Sequence, residues 1–391
     1  MSYRLLLMTA LLLLLTSCTN PQVAVNNAPP GATPAAATPA ATAAPAATPC
    51  DFTKGDRGNC AWQLFVQLNS PTNATGPKSW ETTYRSSESV YLPTGCPPQP
   101  WGQPTPTPPA TVVQQAQQLP GYVQGSVIHN LGDVNKFQVD GLVLKDKWGG
   151  SVLYQLLMNQ DTFNYIFQRK FYNVEGQEQA AQGNQPANFP ATSFELKTSW
   201  IWLSNDPTKY NELKGTYYIV PAYYEKVVNG QSQGYVVGNA AMAGMHIINK
   251  QQPDWIWMTF ENVNNPTYTQ AKLELPVPDY AVQANQTYQK QLQGTVFASY
   301  QLDGVQLAFE DPKLLANSTI ESAFQKESSC MTCHALASIK PNGAYFNIVN
   351  NQGGNVGYYT GKPPNMTGWT SLDFVWSLKR ASRRNNNPCS Q

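Results

Sequence analysis

Residues 330–334 read Cys-Met-Thr-Cys-His, and this spacing constrains the chain more than any other feature. The Cys-x-x-Cys-His pattern is typical of covalent haem attachment. A two-residue gap lets one turn of chain reach two vinyl groups of the porphyrin, and the adjacent histidine then becomes the proximal iron ligand. A thioredoxin-like thiol pair or half of a zinc site would share the spacing, but no second pair follows and no βαβ pattern surrounds it. The motif predicts one covalent haem c at Cys330, Cys333 and His334.

The first 17 residues have the pattern of an export signal peptide. Their apolar run, over positions 5–15, is shorter than the roughly 20 residues that span a bilayer. Leu15-Thr16-Ser17-Cys18 resembles the bacterial lipobox, which implies that Cys18 becomes a lipidated first residue. Thr19 follows it, and the absence of an aspartate there favours the outer membrane. We expect a lipoprotein on the periplasmic face of the outer membrane, anchored there by its lipid without crossing the membrane.

The cysteine count fits the same compartment. The chain has seven cysteines, and subtracting the lipidated one and the two of the haem motif leaves four. An even remainder in an oxidising compartment predicts two disulfides, for which three pairings are possible. The favoured pairing joins Cys50 to Cys60, closing a local loop, and Cys96 to Cys389, tying the C-terminus to the N-terminal part.

Four segments follow from composition and hydrophobic pattern. After the signal peptide (1–17), residues 18–49 are rich in Pro, Ala and Thr and predict a disordered tether. Residues 50–310 have mostly period-two patterning and predict a β-rich, sandwich-like domain. Residues 311–391 predict a small α-helical, cytochrome c-like haem domain. The expected fold class is therefore multidomain β and α.

Several elements can be placed within these domains. Asn229-Gly230 predicts a hairpin between Tyr223–Val228 and Tyr235–Val237, and Asp303-Gly304 predicts a second hairpin. The run Trp255–Phe260 is apolar on both faces and predicts a central strand. Helices are expected over three further stretches: 150–169; a segment that leads from the capping box Ser318–Glu321 into Cys330; and a final helix opened by Thr370 and Asp373, with a basic end at Lys379–Arg384.

Five segments carry a resemblance to a known group: Met242–Lys250 (MAGMHIINK), Trp255–Glu261 (WIWMTFE), Leu315–Glu321 (LANSTIE), Ser328–His334 (SSCMTCH) and Asp373–Ser377 (DFVWS). They are similar to bacterial exported single-haem proteins of the cytochrome c family. The resemblance runs from about Cys60 to the C-terminus and is most specific in the last part of the chain. It implies haem binding and electron transfer, and it brings no substrate.

The distal iron position decides what a haem protein does, and the sequence offers two candidates for it. Met366 lies between a proline-rich turn and the expected final helix, about where a cytochrome c supplies its methionine. His246 matches the histidine of the GMHIINK segment and is the other candidate; an open distal position is the third possibility. His129 is interpreted as an ordinary loop residue. Aromatic residues expected to pack on the macrocycle are Tyr358, Trp369, Phe374 and Trp376.

The charge balance bears on the possible partners. Charged residues are 13% of the chain and the formal net charge is +1, which gives no electrostatic basis for nucleic-acid binding. An electron carrier with a redox partner protein is the leading hypothesis. The alternatives are an oxidase- or peroxidase-type haem enzyme with a substrate pocket in the β domain, and a binding or sensor module that haem holds together. The basic run Lys379–Arg384 fits a solvated helix end better than a docking patch.

Overall fold

The computed structural model describes residues 50–52, 56–73, 76–105, 107–132, 144–229, 231–347, 362–385 and 389. The expected signal peptide, the lipidation site Cys18, the tether and Tyr358 lie outside these residues. The described residues all belong to one compact unit. Among their helices, none is both long and apolar enough to cross a bilayer.

Eight strands form one sheet: β1 (Arg85–Ser86), β2 (His129–Asn130), β3 (Leu153–Met158), β4 (Phe194–Ser204), β5 (Ile219–Val228), β6 (Gln231–Asn249), β7 (Ile256–Asn262) and β8 (Tyr300–Gln306). Their order is β1-β3-β4-β6-β5-β2, with β7 joining β6 to β8. Only the β2–β5 pair is parallel among these described strands. A bridge between Gly132 and Tyr154 leads from the end of β2 back to β3, so the sheet nearly closes on itself.

The long strand β6 organises this sheet. It spans 19 residues and pairs with β4 along one edge over Asn239–Asn249. Its other edge pairs first with β5 and then, from Gly244 onward, with β7. Because β6 has two successive partners on that edge, the sheet divides into two branches that share β4 and β6.

Nine α-helices surround the sheet in the described part: α1 (Arg57–Asn69), α2 (Ser79–Thr83), α3 (Ala110–Ala116), α4 (Gln160–Gln168), α5 (Val174–Gln182), α6 (Pro207–Leu213), α7 (Asn265–Tyr268), α8 (Asp279–Gln291) and α9 (Cys330–Ala335). Asp56 caps the N-terminus of α1: its Oδ1 accepts the backbone N–H groups of Gly58 and Asn59, each at 3.1 Å. Two short strands, β9 (Ser338–Ile339) and β10 (Thr370–Ser371), pair antiparallel outside the main sheet.

The two faces of β4, β6 and β7 have different chemistry. Successive side chains of a strand point to opposite faces. On one face Leu196, Met245 and Phe260 belong to the main hydrophobic core, which α1 and α8 cover. On the other face Lys197 lies directly opposite His246, and His246 lies opposite Thr259. The segment that contains the Cys-x-x-Cys-His motif covers this second, more polar face.

The β-rich prediction is confirmed in its coarse form, as a mixed β and α structure. The predicted hairpin at Asn229-Gly230 is confirmed, since β5 and β6 pair from Val228 and Gln231 outward. The predicted central strand is also confirmed: β7 lies between β6 and β8, and all its residues are buried. The strands form one sheet rather than the two packed sheets of a sandwich.

The predicted hairpin at Asp303-Gly304 is wrong, because both residues lie inside the continuous strand β8. The β7–β8 register shifts there, so that Thr259 pairs with Gly304 and Phe260 pairs with Leu302. Asp303 is thus the extra residue of a β-bulge. Glycine at this position allows the Leu315 side chain to approach the backbone of β8, because a Cβ on Gly304 would lie 2.8 Å from Leu315 Cδ1.

The predicted helix over 150–169 is wrong in its first half. Leu153–Met158 forms β3, which pairs with β4, and Asn159 then caps α4 through its Oδ1 and the Thr162 N–H at 3.1 Å. Apolar side chains on consecutive positions here reflect a strand buried on both faces, for which pairing with β4 outweighs helical spacing.

The two helices predicted for the C-terminal part are also wrong. The capping box predicted at Ser318 does not form: Glu321 Oε2 accepts the Asn317 N–H at 2.8 Å, and the Ser318 N–H donates to Glu261 Oε2 at 2.9 Å. The segment continues as turns and a 3₁₀ helix, Gln325–Glu327. After β10, the expected final helix is reduced to a 3₁₀ helix over Trp376–Arg380.

The C-terminal segment shares a hydrophobic cluster with the sheet. Met331, Ile339 and Leu378 pack in the same buried cluster as Trp257 of β7. Both disulfides of the favoured pairing are present, Cys50–Cys60 and Cys96–Cys389. The second of these fixes the end of the chain to the loop that follows β1.

Candidate functional site

The Cys-x-x-Cys-His motif forms the short helix α9. Ser329 Oγ accepts the Thr332 N–H at its N-terminus (3.4 Å), and Gln306 Oε1 accepts the Met331 N–H at 2.9 Å. Met331 is fully buried and fixes the helix to the sheet. Both motif cysteines are free thiols, in contrast to the four disulfide cysteines. Burial, reinforced by the Glu321 carboxylate, raises the pKa of Cys333 to about 12, so its thiol is protonated at neutral pH.

The imidazole of His334 has a defined tautomer. Its Nδ1 lies 2.7 Å from the backbone oxygen of Phe374. A carbonyl oxygen can only accept, so Nδ1 carries the proton and the Nε2 lone pair remains available to a metal. Burial lowers the pKa of His334 to about 4, and the neighbouring Lys197 and His246 act in the same direction, so the ring is neutral at physiological pH. The Trp257 ring packs beside it with a centroid distance of 4.3 Å.

Three hydrogen bonds connect residues 333–337, which include the end of the motif, to residues 372–376. The Leu372 N–H donates to the Ala337 oxygen at 2.8 Å, and the Trp376 indole donates to the Cys333 oxygen at 2.9 Å. The third is the bond between His334 and Phe374. Together these bonds fix His334, Cys333 and Ala337 relative to residues 372–376.

A charged cluster lies on the polar face of the sheet near the motif. His246 is buried, and its Nε2 lies 3.4 Å from Glu321 Oε1 but makes no hydrogen bond of good geometry. Burial would raise the pKa of Glu321, but His246, Lys197 and the Asn317 N–H outweigh that effect and lower it. Burial lowers the pKa of Lys197, against the opposing effect of Glu321 and the two motif thiols. The cluster therefore brings Lys197, His246 and Glu321 together within electrostatic reach of the motif.

Met366, the other candidate distal ligand, lies elsewhere around the motif. It is half-buried and packs in a small cluster with Cys333, Leu336 and Phe346. Trp369 and Trp376 pack against the same cluster. Both candidate ligands are thus brought into the surroundings of the motif by different parts of the chain.

His129 is not in a loop. It lies in β2, 2% exposed, with its Nε2 2.9 Å from Glu81 Oε1 and its Nδ1 3.2 Å from Gln155 Oε1. The rings of Trp80 and Trp200 flank it on the core side of the sheet. This buried arrangement belongs to the core packing and not to the surroundings of the Cys-x-x-Cys-His motif.

Three side chains of the site are not marked by any motif: Lys197, Glu321 in its role beside His246, and Trp257. The signal for Lys197 is a single lysine inside the strand-forming run Phe194–Leu203. Glu321 has a capping-box position, and Trp257 has the pattern of a core strand; neither pattern indicates a site. Their convergence depends on strand register, which the sequence alone does not specify.

No family model, curated protein or solved structure matches this chain in the comparisons. In the described residues, no group of three or more His, Cys, Asp and Glu side chains is placed to hold a metal ion directly. A haem iron does not need such a group, because the porphyrin supplies four of its ligands and the protein supplies only the axial ones.

Proposed function

We propose that this protein is a single-haem c-type cytochrome of the bacterial cell envelope that transfers electrons. Haem c would be held by thioether bonds to Cys330 and Cys333, with His334 as the proximal ligand. The observation that carries the proposal is the hydrogen bond from His334 Nδ1 to the Phe374 oxygen. Such a bond fixes the tautomer and the ring orientation that a ligating histidine requires.

The other residues around the motif fit the same cofactor. The two free cysteines lie on one short helix, and the neutral imidazole is ready to donate Nε2. When bound, haem c supplies an iron that alternates between the ferrous and ferric states. Trp257 and Phe374 pack around the histidine with apolar surface that would exclude water and favour the reduced state. In this proposal residues 311–391 act as the haem-holding part, the counterpart of a cytochrome c domain.

Two distal ligands remain as proposals. His246 has a buried Nε2 without a hydrogen bond, and a metal would satisfy it. Met366 packs against the same small cluster as Cys333 and could supply a thioether sulfur. A histidine ligand would give a lower reduction potential than a methionine ligand.

The charged cluster supports a second candidate function. Lys197, His246 and Glu321 come together beside the motif from three separate segments. With an open distal position these groups could orient a small substrate at the iron, as in an oxidase- or peroxidase-type enzyme. His246 would then be a polar contact of the substrate instead of an iron ligand.

The envelope location is proposed from the N-terminal sequence. Lipid attached to Cys18 would hold the protein at the periplasmic face of the outer membrane. A redox partner protein is the expected partner, and the charge balance gives no basis for nucleic-acid binding. Two of the four cations in the basic run near the C-terminus are paired within the chain, since Arg383 pairs with Glu178 and Arg380 pairs with Glu88.

The test is to produce the chain in cells that mature c-type cytochromes and to measure its intact mass and optical spectrum. We expect one covalent haem that the double variant Cys330→Ser/Cys333→Ser lacks. The matched control Cys50→Ser/Cys60→Ser removes two cysteines outside the motif and should retain the haem. A colourless wild-type protein without the haem mass would refute the proposal.

The spectrum of the reduced protein with carbon monoxide separates the two candidate functions. A low-spin spectrum that carbon monoxide does not change supports the electron carrier and excludes the enzyme. Rapid carbon monoxide binding excludes a carrier with two strong axial ligands. In the first case His246→Ala and Met366→Ala identify the distal ligand, because only the loss of the true ligand should turn the iron high-spin.

A further inference from the structure

The turn that supplies the hydrogen-bond acceptor of His334 has an unusual backbone. The Val375 N–H donates to the Leu372 oxygen at 3.1 Å, and both central residues have positive φ, 54° at Asp373 and 68° at Phe374. Two positive φ values are the signature of a type I′ turn, which favours Asn, Asp or Gly at the first central position and Gly at the second. Phenylalanine at the second position adopts this conformation only where the surroundings impose it.

The surroundings that impose it converge on the Asp373 side chain. Its carboxylate is 7% exposed; Oδ1 accepts from Lys250 Nζ at 2.5 Å, and Oδ2 accepts the Phe189 N–H at 2.7 Å. The Ser371 hydroxyl oxygen accepts the Asp373 N–H at 3.0 Å. Both carboxylate oxygens of Asp373 are thus engaged by distant segments, and its N–H is engaged by the neighbouring Ser371.

Lys250 is itself held in place. It is buried, its ammonium also donates to the Pro253 oxygen at 2.6 Å, and it lies 5.6 Å from the Trp255 ring. Lys250 directly follows β6, so the ion pair connects the end of the strand that carries His246 to the turn that faces His334. A charge-assisted bond between two buried groups is among the stronger polar contacts in a protein.

We propose that Asp373, anchored by Lys250, is a positioning residue for the proximal histidine: the ion pair holds a strained turn whose Phe374 carbonyl fixes the His334 imidazole. The inference rests on the proposed haem function of His334. A firm Nδ1 bond makes the imidazole a stronger donor to ferric iron and lowers the reduction potential. Loss of the anchor should therefore loosen the Nδ1 bond and raise the potential.

The test uses the haem-loaded protein and three substitutions. Asp373→Gly removes the anchor and leaves a residue that a type I′ turn also favours at its first central position, so a purely conformational role of Asp373 predicts an unchanged site. Lys250→Met removes the charge and keeps an unbranched side chain beside Trp255. Lys250→Arg restores the cation. As a matched control, Lys326→Met breaks an exposed ion pair with Glu274, whose atoms are 3.0 Å apart.

The first readout is the exchange of the His334 Nδ1 proton with solvent, followed by NMR on the ferrous protein; the second is the midpoint potential. We expect Asp373→Gly and Lys250→Met to speed exchange by at least about tenfold, equivalent to about 1.4 kcal/mol, and to raise the potential. Lys250→Arg and Lys326→Met should remain close to the wild type.

Two outcomes separate this inference from the function beneath it. Haem-loaded Asp373→Gly with wild-type exchange and potential would overturn the positioning role and leave the proposed function intact. A wild-type protein that carries no covalent haem would overturn the proposed function and this inference with it.

Discussion

Glu195 offers a test of how the C-terminal segment is joined to the sheet. This β4 residue is 7% exposed, and its Oε1 accepts from Ser377 Oγ at 2.8 Å. Burial raises the pKa of Glu195 from an ordinary value of 4.5 to about 7, although the Ser377 bond partly opposes the shift. The folded protein therefore binds this proton more tightly than the unfolded chain does. The stabilisation is complete below about pH 4.5 and is lost as the pH rises through about 7.

The magnitude follows from the two pKa values. Each unit corresponds to about 1.4 kcal/mol, so ionisation of Glu195 should remove about 2–3 kcal/mol of stability between pH 5 and pH 8. Glu195→Gln keeps an acceptor for Ser377 but does not titrate. The free energy of unfolding of Glu195→Gln, taken relative to that of the wild type, should therefore be about 2–3 kcal/mol higher at pH 8 than at pH 5.

The assay is urea unfolding at the two pH values, with the free energy of unfolding extrapolated to water. Glu225→Gln, at an exposed position of β5, is the matched control and should not change the pH dependence. If Glu195→Gln and the wild type lose stability in parallel over this range, the protonated, buried state inferred for Glu195 is wrong.

Three further outcomes are expected. Trp62 is fully buried and packs against Phe65 and Phe260, so Trp62→Ala should lower the free energy of unfolding in urea by about 3–5 kcal/mol. Cys389→Ser should cost about 2–5 kcal/mol by removing the disulfide to Cys96, and a thermal melt should register the loss only under non-reducing conditions. Lys326→Ala breaks an exposed ion pair and should change the urea midpoint by less than the equivalent of about 1 kcal/mol.

Local patterns predicted those elements whose fold depends on nearby residues. The run Trp255–Phe260 could be assigned to a central strand because its apolar residues leave no polar face. Asn229-Gly230 gave the correct hairpin because its flanking strands pair directly. The disulfide pairing was favoured by the closeness of Cys50 and Cys60 in the sequence, which left one partner for Cys96.

The errors arose where distant segments decide the local structure. Asp303-Gly304 has the composition of a turn, yet the approach of Leu315 to the Gly304 backbone makes it a bulge. Asp373 has the position of a helix-opening residue, but Lys250, more than one hundred residues earlier, binds its carboxylate. The Cys-x-x-Cys-His motif could be recognised in the sequence because it consists of five consecutive residues. The positions of Lys197 and Trp257 beside the motif could not be predicted, because only strand pairing brings these side chains there.

Because successive side chains of β6 point to opposite faces of the sheet, the site depends on the correct register of this strand. If β6 paired with β4 one residue out of register, Ile247 would face the motif and the His246 imidazole would point into the main hydrophobic core. Burial of the apolar face in the main hydrophobic core therefore also fixes the positions of the charged groups on the opposite face of the sheet. A mispaired chain would be less stable and would also lack His246 beside the motif. Degradation of unstable chains would therefore also remove chains with a misassembled site.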